Sequence, residues 1–337
     1  MTTTGPVSTL ASETRTVFER YRPRGAGQIL MVAGWVLGLA LITGIPLFAL
    51  PPIWTAAALL TLVYIPAAVG QNLIIGNAGI LAMGQAAFLG VGAYTAGILA
   101  TRFGLDGSVT LLASVVLSGV LGAVVGIPAL RIRDDYLFIV SLGFNLIVLD
   151  VALQWIDVTG GATGLAGIPL LTLFGVNIGI GVGFYYTVLA IVLVSLLVSH
   201  VIVTSRFGQT MEAIRDDEIA AVAVGIPPAL PKILFFAIGS ALAGLSGALL
   251  AYNIGYVGPG SFDVGASLLI FQMAVIGGLG RISGSVVGAF IIILVPEIFR
   301  PVQEYRLLLA GLVIVVLMAL RPEGLLGKTK ITNLIKK

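Results

Sequence analysis

Side chains able to do covalent or proton-transfer chemistry are scarce in this sequence, and they stand far apart. Among 337 residues there is no cysteine and one histidine, His200, which removes thiol nucleophiles, disulfides, iron–sulfur ligation and clustered zinc sites. Two acids, Asp150 and Glu297, sit inside long apolar stretches. An ionisable group at membrane depth is costly and is a functional candidate by default. Gln154 follows Asp150 at i+4 on the same helix face, and Asn145 lies more than a turn before it. This stripe has two readings, a lining of a solute path or a set of hydrogen bonds to a neighbouring helix. Glu297 with Arg300 reads as an interfacial ion pair. A second polar set, Gln71, Asn72, Asn77 and Gln85, is interleaved with glycines. None of these sets has the clustering that catalysis or metal binding needs, so no catalytic residue and no metal ligand is expected.

The elements that must position these groups are membrane helices. Of the residues 58% are hydrophobic and 10% charged, where a soluble chain carries about 25% charged. Between Arg24 and Arg102 lie 77 residues without Asp, Glu, Lys or Arg. A run that long holds about three membrane helices of about 20 residues each. Such a composition excludes a soluble enzyme, a secreted disulfide scaffold and a nucleic-acid binder; the net charge is only +3 and the cations mark segment ends. The expected fold class is therefore all-α, a polytopic membrane helical bundle.

Apolar runs between charges and Pro/Gly breaks give ten candidate helices, 28–50, 53–70, 86–101, 108–130, 136–156, 184–204, 232–253, 266–280, 283–300 and 305–320. Because 53–70 and 266–280 are short, the alternative is eight or nine full crossings plus half-helices. With the N-terminus in the cytoplasm, fifteen of the eighteen Lys and Arg residues fall on the inner side, and only Arg102, Arg300 and Arg306 fall outside. Trp54, Trp155, Tyr185, Tyr186 and Tyr256 then fall near the outer interface, where amphipathic rings prefer to sit. The expected organisation is a cytoplasmic tail over 1–27, uncleaved and no signal peptide, a membrane body over 28–320 and a cytoplasmic tail over 321–337. That makes a multi-pass protein of the plasma membrane with both termini cytoplasmic.

Glycine is abundant, at 44 residues, and recurs at four-residue spacing in Gly280, Gly284 and Gly288 and in Ser240 with Gly244. On a helix this spacing makes a flat face that lets backbones approach closely. The Gln71–Gln85 stretch falls between the second and third spans. Irregular backbone at membrane depth is tolerated only when buried in protein or lining a cavity. The stretch, with Gly277–Gly288, is therefore expected either to line the pathway or gate, or to form a tight inner turn.

The largest inner loop, 205–231, holds four acids between Glu212 and Glu218. Thr210 to Val224 lacks Gly and Pro and is expected to be one helix, stopped by Gly225 with two prolines following. Met211, Ile214 and Ala221 share one side of it, with Glu212, Asp216 and Glu218 elsewhere. Its Glu218-Ile-Ala-Ala-Val-Ala-Val-Gly225 segment resembles the EAA loop by which ABC-transporter permeases contact their ATPase subunits.

The resemblance extends along the chain. The stretch from Gly70 to Tyr94 is similar to the signature region of branched-chain amino acid ABC permeases of the LivM type. So are Arg131-Ile-Arg-Asp-Asp-Tyr136 with Ser141-Leu-Gly-Phe144, Thr159-Gly-Gly-Ala-Thr-Gly-Leu165 and Arg215-Asp-Asp-Glu-Ile-Ala-Ala221. Gly255-Tyr-Val-Gly-Pro-Gly-Ser-Phe262, Val275-Ile-Gly-Gly-Leu-Gly280 and Leu320-Arg-Pro-Glu-Gly-Leu-Leu-Gly327 complete the set, in the family's order. Asp134-Asp135 departs from the pattern, which has Gly and a variable residue there.

This resemblance implies an importer subunit for branched-chain or related hydrophobic amino acids. Its implied partners are a second, LivH-like permease subunit, two ATPase subunits and an extracytoplasmic solute-binding protein, within a lipid bilayer and without nucleic acid. It places ATPase coupling on Glu212, Ala213, Arg215, Asp216, Asp217, Glu218, Ala220, Ala221 and Gly225. No cofactor is expected in this chain, with ATP bound by the partners. Gly324-Leu-Leu-Gly-Lys-Thr329 is no phosphate loop, because Pro322 stands where that motif needs its first glycine. The alternatives are a permease for urea, short amides or another small solute, and an ion-coupled secondary transporter. A membrane-embedded transferase would need an acid or histidine cluster that the sequence lacks.

Overall fold

In a lipid interior every backbone N–H and C=O must be satisfied within the protein, so long apolar runs become helices. A computed structural model describes residues 52–129, 134–179 and 181–294, with 305, 308, 311, 312, 315 and 325. All belong to one unit, Pro52–Lys337. The expected span 28–50, the N-terminal tail, all of the C-terminal tail but Leu325, the Arg131 and Arg133 loop, Glu297 and Arg300, and most of 305–320 lie outside the described residues.

Among the described residues seven helices are long and apolar enough to cross a membrane. Helix α1 is Pro52–Asn72, α2 Gln85–Phe103, α3 Gly107–Ala129 and α4 Asp134–Gln154. After a four-residue turn of helix, α5 (Ile156–Thr159), comes α6, Val182–Thr204. Two short helices, α7 (Arg206–Asp216) and α8 (Glu218–Ala223), precede α9, Ala229–Ile254. Helix α10, Val264–Gly277, turns back into α11, Ile282–Ala289, which runs on as a π segment to Leu294. The 53–70 span is longer than expected: α1 continues through π turns to Asn77, giving a 24-residue apolar helix from Trp54. Strand is confined to two-residue ribbons in the connections, so the bundle is mostly helical.

Helix α9 is the axis of the bundle, packed by α1, α2 and α3. Small residues let these backbones touch. A Cβ added at Gly247 would stand 1.8 Å from the Leu89 carbonyl oxygen, and one at Gly92 would stand 2.1 Å from that of Gly244. Hydroxyls tie the same helices: Ser114 Oγ donates to Gly92 O at 2.9 Å, and Ser246 Oγ accepts from the Ala67 N–H at 2.8 Å. Van der Waals contact and such bonds replace the hydrophobic drive that lipid does not supply. The Gly280–Gly284–Gly288 face needs correction. Gly280 lies in the α10–α11 turn at φ +79°, while Gly284 and Gly288 close α11 onto α10.

At the end of the bundle away from α7 and α8, two of the sequence blocks meet. Leu165 and Ala166 pair antiparallel with Val257 and Tyr256, and the Tyr256 hydroxyl donates to Thr163 O at 3.1 Å. A hairpin over 172–177 is clamped by Asp106, whose carboxylate accepts from the Ser108 hydroxyl and from the N–H groups of Ser108, Phe174 and Gly175. The Ser108 hydroxyl bond leads in holding this carboxyl well below its ordinary value of 3.8; desolvation opposes it and the further bonds add to it. A depressed folded pKa stabilises the hairpin fully above that ordinary value and is lost as pH falls below it, through the folded value. Hydrogen exchange should therefore find the Phe174 and Gly175 amides equally protected from neutrality down to pH 3.8 and opening only below it. In Asp106→Asn they should be less protected at neutral pH.

Candidate functional site

The polar segment after α1 is an unwound junction held by side chains from distant parts of the chain. Past the π turns the backbone leaves the helix at Ala78 and becomes helical again at Gln85. Gln71 Nε2 donates to Ala82 O at 2.7 Å, bracing the two sides of the loop. The Met83 N–H goes to Ser141 Oγ of α4 at 2.8 Å, and the Ala86 N–H to Ser267 Oγ of α10 at 3.0 Å. Gln85 Nε2 reaches Gly239 O of α9 at 2.7 Å. Irregular backbone is thus satisfied by protein, the condition for its presence among membrane helices.

Asn72 joins this junction to the α10–α11 turn. Its Nδ2 donates to Arg281 O at 2.8 Å, Ser285 Oγ at 2.7 Å and Gly278 O at 3.3 Å, while its Oδ1 accepts from the Gly280 N–H at 2.8 Å. From the other side, Arg215 of α7 donates through Nη1 to the carbonyl of Gly76, inside the π segment. One short helix therefore touches the junction that one asparagine ties to a second turn.

Helices α7 and α8 were expected as one. They break at Asp217, which takes an extended conformation (φ −157°) and caps α8 by accepting from the Ala220 N–H at 2.9 Å. Aspartate is among the preferred N-caps, and this cap outweighs the helix propensity of the flanking residues. Gly225, at φ +86°, ends α8 as expected. The Ile226 N–H bonds Ala221 O at 3.0 Å and the Gly225 N–H bonds Val222 O at 2.9 Å, the paired closure that a left-handed glycine permits. Met211, Ile214 and Ala221 are buried, as their spacing indicated. Glu218 forms an ion pair with Lys232 at 2.7 Å, so this acid is engaged within the chain. Glu212, Ala213, Arg215, Asp216 and Ala220 lie on exposed positions.

Sequence reasoning passed over three residues that stand out here. Ile219 is 84% exposed and Val222 53%, neighbours one turn apart on α8, and Val224, one residue past the helix, is 76% exposed, while Ala221 is buried. The charges drew attention, but the apolar residues between them were the available signal.

The stripe on α4 does not hold together. Asp150 and Gln154 are exposed and hydrogen-bonded to each other, whereas Asn145 is fully buried. Five residues are about 140° around a helix, so Asn145 faces away from Asp150. Among the described residues, neither amide atom of Asn145 has a hydrogen-bond partner, nor have Gln71 Oε1 and the Tyr94 hydroxyl. Asn77 is half-buried at the end of the π segment.

Residues 53–318 match the family model described as "Branched-chain amino acid transport system / permease component". The chain is 33% identical over 296 residues to the high-affinity branched-chain amino acid transport system permease protein LivM of Salmonella typhimurium, covering 81% of this chain and 70% of that one. LivM of Escherichia coli shows the same identity and coverage. A shorter similarity, 28% over 129 residues, relates 38% of the chain to 42% of the permease protein LivH of Escherichia coli. No solved structure gives a significant match.

Proposed function

The chain belongs to the branched-chain amino acid transport system / permease component family, and from that premise we propose that it is one membrane-spanning half of an ATP-driven importer of branched-chain amino acids. Two ATPase subunits dock on α7–α8 at the cytoplasmic face, and a solute-binding protein delivers cargo at the other. A second permease subunit of LivH type completes the passage; the chain's partial similarity to LivH supports a pair of related subunits. The complex lies in the plasma membrane with both termini of this chain in the cytoplasm. This chain hydrolyses nothing and holds no nucleotide.

The observation that carries the reading is the exposed apolar pair on α8. A short helix that buries Ala221, caps itself with Asp217 and still exposes Ile219 and Val222 on one side is built to be covered by another protein. Charged rims around such a pair set partner choice and approach, a role open to Glu212 and Asp216.

Passage is assigned to polar groups that the fold leaves unanswered. A buried amide without a partner costs about 1–3 kcal/mol, a cost removed whenever a donor and an acceptor arrive. The amino and carboxylate groups of a passing amino acid supply both to Asn145. Asp150 and Gln154 face outward from this chain, toward the second permease subunit. Gln71, Asn72, Asn77 and Gln85 border the inner gate, where the amides of Gln71, Asn72 and Gln85 hold its backbone.

The test is uptake of labelled leucine into proteoliposomes holding the whole complex, with ion gradients collapsed. Uptake should require internal ATP and stop when the ATPase is inactivated. Uptake that survives ATPase inactivation but collapses with an ion gradient would overturn the reading. Preference for urea or a short amide would move the cargo to that class.

A further inference from the structure

We propose that Arg215 is the positioning residue that carries ATPase motion into the membrane, by holding α7 and the backbone at 76–79, where the π segment ends, together as one moving body. The inference rests on ATPase docking at α7–α8 and goes beyond it, to the route of the motion after docking.

The resemblance places Arg215 among the ATPase-coupling residues. Its guanidinium donates to the Gly76 carbonyl, and its aliphatic stem lies along Gly79. A Cβ added at Gly79 would come within 2.9 Å of Arg215 Cγ. One at Gly280 would stand 3.5 Å from Arg215 Nη1, so the same side chain also lies beside the α10–α11 turn. A side chain at Gly79 would therefore collide with this stem.

The contact reaches further through Asn72. Gly76 packs so closely on Gly280 that a Cβ at Gly76 would stand 2.2 Å from the Gly280 nitrogen, the same N–H that Asn72 Oδ1 holds. A shift of α7 along the membrane surface therefore pulls on Gly76, and through the Asn72 knot on the α10–α11 turn. A π segment suits this use. Single π turns inside α-helices occur frequently at functional sites. A guanidinium on a backbone carbonyl is a charge-assisted bond, roughly twice as strong as a neutral one.

The chain has no cysteine, which allows a sharp test. The Cβ position at Gly79 lies 3.7 Å from Arg215 Cβ, within the range of about 3.5–4.5 Å that a disulfide spans. The full complex is reconstituted with Arg215→Gln, Arg215→Lys and the pair Gly79→Cys with Arg215→Cys, and ATP hydrolysis, leucine uptake and ATPase co-purification are measured together.

Arg215→Gln should keep its ATPase subunits and hydrolyse ATP, while leucine moved per ATP falls about tenfold or more, the loss expected when one charge-assisted bond no longer biases a two-state element. Arg215→Lys should restore part of the ratio. The reduced cysteine pair should be uncoupled, and its oxidation should restore coupling, because a covalent link replaces the lost one. A simple folding role would leave oxidation without benefit. Equal leucine per ATP in Arg215→Gln and wild type, or an oxidised pair as uncoupled as the reduced one, overturns the proposal. If the ATPase detaches in Ile219→Asp but coupling is normal in Arg215→Gln, docking stands and the link fails. If Ile219→Asp leaves the ATPase attached, docking at α8 itself fails.

Discussion

Replacing Ile219 by Asp is expected to strip the ATPase subunits from the purified complex and to abolish ATP-driven uptake, while the membrane body folds as before. At 84% exposed, Ile219 contributes almost nothing to the packing of its own chain, so its loss leaves the fold intact. Its contribution to an interface is another matter. An apolar anchor at the centre of a docking patch is worth about 2 kcal/mol or more, roughly thirtyfold in affinity. An introduced carboxylate adds a desolvation cost, next to the acids already at Asp216, Asp217 and Glu218. Val222→Asp should act in the same direction and less strongly, since Val222 is only 53% exposed. Co-purification through a tag on this chain, with thermal unfolding of the isolated chain as the folding check, separates the two effects. Retention of the ATPase by both variants would falsify the assignment of α8 as the docking element.

The second large effect is expected at Asn72. Asn72→Leu removes a side chain making four hydrogen bonds and leaves the Gly280 N–H and the Arg281 carbonyl without the partner they had. At about 1–3 kcal/mol for each stranded group, the loss amounts to several kcal/mol, a large part of the stability of most proteins. The detergent-solubilised chain should unfold at a clearly lower temperature. Protease cleavage near the α10–α11 turn should rise first, because that turn loses its tie to α1. Were Asn72 a solute contact and nothing more, the variant would instead fold normally and change only the concentration dependence of uptake. Gln85→Leu gives the milder comparison, since the structure gives its Nε2 one backbone acceptor, Gly239 O.

How far the sequence reached differs between levels of structure. Helix ends came within a few residues because an apolar run bounded by charges is a one-dimensional signal: 232–253 became Ala229–Ile254, and 184–204 became Val182–Thr204. The break at Asp217 was not legible. An aspartate inside a propensity-rich run becomes a cap only when buried Met211, Ile214 and Ala221 fix the flanking turns, and that is tertiary information. The polar junction was found but its use was not. Ser141, Ser267, Ser285 and Gly239 hold it from across the chain, and a lone serine on an apolar helix carries no periodic mark. The α4 stripe failed for a simpler reason, since a five-residue step does not return to the same face.

The division of labour within α7–α8 has an evolutionary consequence. The residues that seat these helices, Met211, Ile214 and Ala221, share no member with the exposed set Ile219, Val222 and Val224. On the proposed docking of the ATPase at α8, recognition and architecture are written in separate letters of one short segment. A lineage could then retune the exposed letters toward a different motor without disturbing the bundle, and a drifting motor could be followed one substitution at a time. Transplanting those three side chains between related permeases should carry motor preference with them and leave cargo choice behind.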